Sequence, residues 1–369
     1  MTVAVEVSKT QVLRFIARIG DHTPSIAMAE VKQAVAPRVP IDDGLLLSLE
    51  PQDGSAAMYQ QAADVITRKV PGFVEHRVAA SETNHLSVFG FAPMPLLMLL
   101  GRSIGDKHPA EVYERHRHSD SWRWDEEGPA LEWSATFPAR PVRGRAVALL
   151  LSISASVAVD GVRGALGGDF DIIEFGLPRS QRVPNIVRTR AQLRGFAEQW
   201  RATLNRIKED HEPAQIHIFP AAPLSVCIEL GRRALPKADP ELVLYDYFVG
   251  QFRRALSLGG PEGPTPAAKP STSLDWRMGL MELFVSAFEN FELRLWLDQI
   301  EADLSNFLGS PNQLSRQEFA GAACRRLENR GVIDDVFFTR LGAHFSHESR
   351  KNEVERIRRA WADARKGAE

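Results

Sequence analysis

VFGFAPMPLLMLLGR, residues Val88 to Arg102, is echoed further along the chain by IFPAAPLSVCIELGR, residues Ile218 to Arg232. No gap is needed to align them. Val88 and Phe89 stand where Ile218 and Phe219 do, Pro93 where Pro223 does, and Gly101 and Arg102 where Gly231 and Arg232 do. The segments that follow also match, HPAEVYER (His108 to Arg115) facing DPELVLYD (Asp239 to Asp246), and upstream LLLSLE (Leu45 to Glu50) pairs with LLLSIS (Leu149 to Ser154). Three matching blocks in one order predict duplication of a supersecondary unit.

Each block has a physical reading. Short unbroken apolar runs such as LLLS and VALLLSI (Val147 to Ile153) suit strands buried on both faces, the habit of a parallel sheet between helices. The longer runs after Pro93 and Pro223 suit helices, with Pro in the first turn and Gly101 or Gly231 beside an arginine at the helix end. Arg102 and Arg232 are then expected to serve the helix dipole. Between strands, AAMYQQAADVITRKV (Ala56 to Val70) and AQLRGFAEQWRATLNRIKEDH (Ala191 to His211) read as helices, the second with Leu193, Phe196, Trp200, Leu204 and Ile207 at three- and four-residue spacing. The expected fold is α/β: two Rossmann-like halves related by a pseudo-twofold axis, followed by an all-α region.

Bulk properties set the bounds. The 369 residues are 44% hydrophobic and 25% charged, the profile of an ordinary globular chain of two or three domains. Lys+Arg 45 against Asp+Glu 47 leaves no global positive field for duplex nucleic acid or an anionic membrane. The longest apolar runs fall far short of the ~20 residues that cross a bilayer, and the start lacks a signal-peptide pattern. Cys227 and Cys324 give neither a disulfide framework nor a zinc spacing, so a reducing cytoplasm is the expected home. The run SLGGPEGPTPAAKPSTS, Ser257 to Ser273, reads as a linker. It divides a body over 1–256, with halves of about 1–115 and 116–256, from a helical body over 274–369.

In open parallel sheets ligands collect at the carboxyl ends of strands, where helix N-termini aim N–H groups outward. Here that edge is built twice, which favours a pseudosymmetric, phosphate-bearing ligand. The candidate ligand residues are Ser48, Glu50, Gln52, Phe91, Pro93 and Met94 from the first half. From the second come Ser152, Ser154, Ser156, Phe219, Ala221, Ala222, Pro223, Leu224, Ser225 and Tyr245. Tyr113 and Tyr245 hold nearly matching places, each readable as a core residue or as a stacking platform for a base. No Gly-x-Ser-x-Gly elbow surrounds the serines, which suits hydrogen bonding to phosphate or ribose rather than nucleophilic attack. GALGGDFD (Gly164 to Asp171) lacks a dinucleotide fingerprint and a P-loop lysine and reads as a turn. His116 and His118 lack a third ligand nearby and read as a solvated strand end. Trp122 and Trp124 read as packing residues in preference to base stackers.

LLLSIS, then IHIFPAAPLSVCIELGRRALPKADPELVLYDY, preceded by Trp122 and Trp124, resembles the SAVED domain of bacterial anti-phage systems over roughly Val12 to Phe252. That family consists of two fused CARF-like halves and senses cyclic oligonucleotides in CBASS and type III CRISPR defence. The resemblance implies a non-enzymatic sensor with no cofactor and no metal, a cyclic tri- or tetranucleotide as ligand, and ligand-induced homo-oligomers. The 274–369 body, with ELRLWL and FFTRL segments, resembles effector-associated or death-like adaptor domains, which implies an effector protein as partner. Its core is expected from Phe284, Phe288, Phe291, Leu295, Phe319, Leu327, Phe337, Phe338 and Trp361, with Ser315 capping one helix and Gly331 ending another. The alternatives are a ring nuclease-like enzyme that degrades its cyclic oligonucleotide and a Rossmann-type metabolic enzyme.

Overall fold

The computed structural model describes residues 8–18, 25–49, 56–78, 84–116, 119–235, 237–248, 250–259, 276–300 and 316–366. The chain divides into two compact units, Met1–Ala267 and Ala268–Glu369.

The first unit holds two sheets. In the first half the order of elements is β1 (Lys9–Ala17), α1 (Met28–Val35), a two-residue β2 (Val39–Pro40), β3 (Leu45–Leu49), α2 (Ala56–Phe73), β4 (Leu86–Phe91), α3 (Met94–Ile104) and β5 (Ala110–Tyr113). A short β6 (Ser134–Thr136) intervenes. The second half repeats the series as β7 (Ala146–Ser152), α4 (Val159–Leu166), β8 (Phe170–Gly176), α5 (Arg190–His211), β9 (Gln215–Ala221), α6 (Leu224–Arg233) and β10 (Glu241–Phe248), closed by β11 (Gln251–Leu258). Strands β3, β1, β4 and β5 lie side by side and parallel. So do β8, β7, β9 and β10. Among the described strands only β6 and β11 pair antiparallel, at the two edges of the second sheet. The expected fold class is therefore what the chain adopts.

Topology corrects one block of the repeat. The central strand of each half is β1 or β7, so LLLSIS answers to KTQVLRFIA (Lys9 to Ala17), and LLLSLE answers to β8. The likeness is one of composition alone, since of the five residues of β3 only Leu47 is buried. In β7, six of seven residues are buried. Helix α5 starts at a capping box, Thr189 accepting from the Gln192 N–H, and buries the five apolar residues expected of it.

The halves meet through α3 and α6. A methyl group placed on Gly101 would lie 1.9 Å from the carbonyl oxygen of Ile228, and one on Gly231 would lie 1.8 Å from that of Met98. These residues hold equivalent places in the echo, so the contact is isologous, as across a twofold axis. Both glycines lie inside their helices and permit close approach, where a helix-end role was expected. The arginines beside them also cross over, in place of a dipole role. Arg102 donates to the carbonyl of Ala234, just past α6, and the buried Arg232 to that of Gly105, just past α3. Arg232 also donates to Glu229 at 2.9 Å, which keeps the buried guanidinium paired.

Ser257 and Leu258, expected to begin the linker, are buried in β11, and 260–273 lie outside the described residues. The second unit contains, among its described residues, α7 (Trp276–Ala287), α8 (Asn290–Ile300), α9 (Arg316–Asn329), α10 (Asp335–His344) and α11 (Glu348–Lys366). Phe284, Phe288, Phe319, Leu327, Phe337, Phe338 and Trp361 are buried as expected, but Phe291 and Leu295 are 62% and 50% exposed. The buried stripe of α8 runs instead through Leu293, Trp296 and Leu297. Gly331, at φ +67°, ends α9, and Ser315 lies outside the described residues. No helix among the described residues is long and apolar enough to cross a membrane.

Candidate functional site

The carboxyl edge of the second sheet is formed where β8, β7 and β9 end. Ser152, the last residue of β7, is fully buried, and its hydroxyl accepts from the Val157 N–H at 3.2 Å, closing the loop into α4. The Ser154 N–H and the Ile153 N–H both donate to the Ala221 carbonyl, at 2.8 and 3.0 Å, which ties the loop to the end of β9. Ser156 is exposed, and its hydroxyl accepts from Arg182 at 2.9 Å. Ala222 and Pro223 follow, and Pro223 precedes the first residue of α6. Six candidate residues, Ser152, Ser154, Ser156, Ala221, Ala222 and Pro223, thus share one edge.

The first two N–H groups of α6 are already engaged. The Leu224 and Ser225 N–H groups donate to the two carboxylate oxygens of Glu114, at 3.4 and 2.7 Å. Glu114 immediately follows β5, so the end of a first-half strand is bound to the start of a second-half helix, and the two carboxyl edges adjoin. The negative charge there satisfies donors that would otherwise draw an anion. Ser225 itself is fully buried, with its hydroxyl unpartnered.

The matching acid takes another partner. Asp246 stands in β10 where Glu114 follows β5, directly after the matching tyrosines, and it accepts from the hydroxyl of Tyr59 on α2. Burial pushes the Asp246 carboxyl above its ordinary value, against the hydrogen bond from Tyr59. Burial, then the Asp246 charge, raises the Tyr59 phenol well above its own. In α3, Pro95 occupies the place of Ser225 and has no N–H to offer. The two acids therefore both cross between halves but cannot make the same bond.

Among the first-half candidates, Ser48 is exposed in β3, Phe91 is the half-buried last residue of β4, and Pro93 and Met94 open α3 half-buried. Glu50 and Gln52 lie outside the described residues. Phe219 and Tyr245 sit beneath the edge. Their rings stack at 4.3 Å, with Tyr245 only 5% exposed and its hydroxyl 3.2 Å from His217 Nδ1. The first half repeats the arrangement, Phe89 on Tyr113 at 4.5 Å. Burial pushes the Tyr113 hydroxyl up to about 12 and raises that of Tyr245. Both tyrosines have the surroundings of core residues.

Other sequence features resolve as packing. Trp122 and Trp124 are buried, Trp122 edge-on to Phe89 at 5.5 Å. His116, expected in solvent, is buried against Trp124, and burial lowers its pKa; His118 lies outside the described residues. Among the described residues no group of three His, Cys, Asp or Glu is placed to hold a metal ion. Cys227 is buried, and burial raises its thiol well above the ordinary value, which keeps it protonated and unreactive.

Two α/β halves, joined through reciprocal helices and with their carboxyl edges adjoining, define a duplicated receptor-type module. The model of the SAVED family, described as SMODS-associated and fused to various effectors sensor domain, matches residues 66–258, and the chain belongs to that family. Among solved structures it is similar to the Acinetobacter baumannii Cap4 SAVED/CARF-domain containing receptor. With the cyclic trinucleotide 2'3'3'-cAAA that structure is 14% identical at TM-score 0.46, over 68% of this chain and 52% of that one. With 3'3'3'-cAAA the values are 13% and 0.45, over 67% and 52%. The Moraxella osloensis Cap4 receptor is 11% identical at TM-score 0.40, over 67% and 50%. The chain spans about half the length of these structures. No curated protein gave a significant match.

Glu114 escaped the sequence reading although its signal was present. The matching tails HPAEVYER and DPELVLYD each carry an acid directly after the tyrosine. Arg182 had no comparable signal, because it acts from a loop that the echo does not include.

Proposed function

We propose that this chain is a sensor for a cyclic oligonucleotide second messenger, with a tri- or tetranucleotide as ligand and anti-phage defence of the CBASS or type III CRISPR kind as setting. Membership of a sensor-domain family supports the reading. The observation that carries it is the bond from Glu114 to the start of α6, which joins the carboxyl edges of the two halves into one continuous surface. A cyclic oligonucleotide is itself built from repeated units and suits a surface of two similar parts. The hydroxyls of the half-buried Ser154 and the exposed Ser156 in this loop suit hydrogen bonding to a phosphate or ribose. On this reading the 274–369 body passes the signal to an effector protein, and ligand binding drives oligomers in a cytoplasmic setting. No catalytic role is assigned to any residue.

A thermal-shift panel of cyclic di-, tri- and tetranucleotides tests the reading, beginning with the two cyclic trinucleotides found in the A. baumannii receptor. Stabilisation by one ring, with linear oligonucleotides and nicotinamide cofactors inert, is the expected result. Stabilisation by a nicotinamide or flavin cofactor alone would replace the sensor with a metabolic enzyme, and chromatography of the incubated ring shows whether it is cleaved.

A further inference from the structure

A ligand carrying several phosphates needs positive charge, and the starts of α6 and α3 offer little. That of α6 is neutralised by Glu114, and α3 carries Pro95 in its first turn, with the Leu96 N–H already bonded to the Pro93 carbonyl. A side chain at the edge would add full positive charge that these two helix starts lack. Arg182, in the loop that follows β8, is held at the same edge as the serine loop. Its Nε donates to the Leu177 carbonyl at 2.8 Å, and its Nη1 donates to Glu174 at 2.7 Å and to the Ser156 hydroxyl at 2.9 Å. The Nη2 group has no partner among the described residues. The side chain is 13% exposed, so its stem is packed and its guanidinium is fixed before any ligand arrives. Ser156, bonded to it, is exposed.

We infer that Arg182 and Ser156 form a preorganised phosphodiester-binding pair, the Nη2 N–H groups and the serine hydroxyl facing one phosphate at the carboxyl edge of β7 and β8. This rests on the sensor reading above and names the residues that would give it charge selectivity. Arginine suits the role because its planar fork can hold the protein with one set of donors and grip a phosphate with another. Glu174 takes part as the orienting partner. It fixes Nη1 and leaves Nη2 outward, so it positions the arginine without touching the ligand.

The test compares wild-type protein with Arg182→Gln, Glu174→Gln and the control Arg143→Gln. Arg143 forms an exposed pair with Glu212, just before β7 and so at the opposite end of that strand. Calorimetry with the ring that scores in the panel should show Arg182→Gln weakening binding by about 10- to 100-fold, with Arg143→Gln unchanged. The salt dependence of the affinity should also weaken in Arg182→Gln, because a screened charge contact to the ligand is lost, which a merely structural arginine would not move. Inorganic pyrophosphate provides a probe independent of the ring. It should raise the melting temperature of wild type and not that of Arg182→Gln. Should the rings fail while pyrophosphate still separates these two proteins, the anion pair stands and the sensor reading falls. Should Arg182→Gln bind ring and pyrophosphate as wild type does, with both Arg182→Gln and Glu174→Gln merely melting earlier, the pair is a structural ion pair and the inference is overturned.

Discussion

The first half of the sensor unit, β1 to β5, and the second, β7 to β10, share a strand order, a Phe–Tyr stack and a glycine at the helix contact, yet they differ where their strands end. Glu114 runs to the backbone of α6, whereas its counterpart Asp246 runs to the side chain of Tyr59. Pro95 against Ser225 accounts for the shorter of the two Glu114 bonds, because a proline at that place removes the N–H that an acid would bind. Duplication has thus kept the framework symmetric while leaving the two ends of the carboxyl edge chemically distinct. A pseudosymmetric ligand would meet two surfaces of the same shape and different polarity.

The largest expected effect comes from breaking the symmetric part. Gly101→Ala and Gly231→Ala each place a methyl group inside 2 Å of a carbonyl oxygen on the opposing helix, and backbone cannot yield as a flexible side chain does. Each should lose about 3 kcal/mol or more of stability, the upper range of overpacking, as measured by denaturant unfolding. Equal losses support an isologous contact, and a silent variant on one side would break it.

The asymmetric part is sharpened by a smaller pair of changes with opposite signs. Glu114→Gln removes a carboxylate from a helix start and should cost about 1–2 kcal/mol at neutral pH. Asp246→Asn should cost nothing there. Because the folded-state pKa of Asp246 is raised, its stabilising contribution is present below the unfolded value of about 3.9 and is lost as pH rises through the folded value. At neutral pH the wild type carries that penalty and Asp246→Asn does not, while the Asn carbonyl still accepts from Tyr59. The variant should match or exceed wild type at pH 7 and lose any advantage near pH 4, as read by melting temperature against pH. An Asp246→Asn protein that is markedly less stable at pH 7 would make the two acids alike after all.

Much of the framework was legible in the sequence because close packing repeats. The echo located β4, α3, β9 and α6, and helical spacing located α5 down to its five buried residues. What misled was similarity without equivalence. LLLSLE and LLLSIS look alike although β3 buries only Leu47 and β7 is buried almost throughout, while the strand truly equivalent to LLLSIS is disguised by Lys9, Thr10, Gln11 and Arg14. Gly101 and Gly231 were read as helix ends because a close approach between distant segments leaves no local trace. Phe291 and Leu295 continue the spacing of Phe284 and Phe288 only in sequence, since α7 ends at Ala287 and α8 starts afresh at Asn290, burying the opposite face through Leu293, Trp296 and Leu297. The serine loop was visible as composition. Its arginine was not, since the bond from Arg182 to Ser156 depends on β7 and β8 lying side by side.

Both halves belonging to one chain is the central claim, and the stoichiometry of ligand binding tests it most directly. Calorimetry of the full chain with the ring that stabilises it should give one ligand per chain, because on the proposed reading the two edges that adjoin through Glu114 form one binding surface. One ligand per two chains would mean that the surface is completed by a second molecule, and the duplicated site would not be the ligand site.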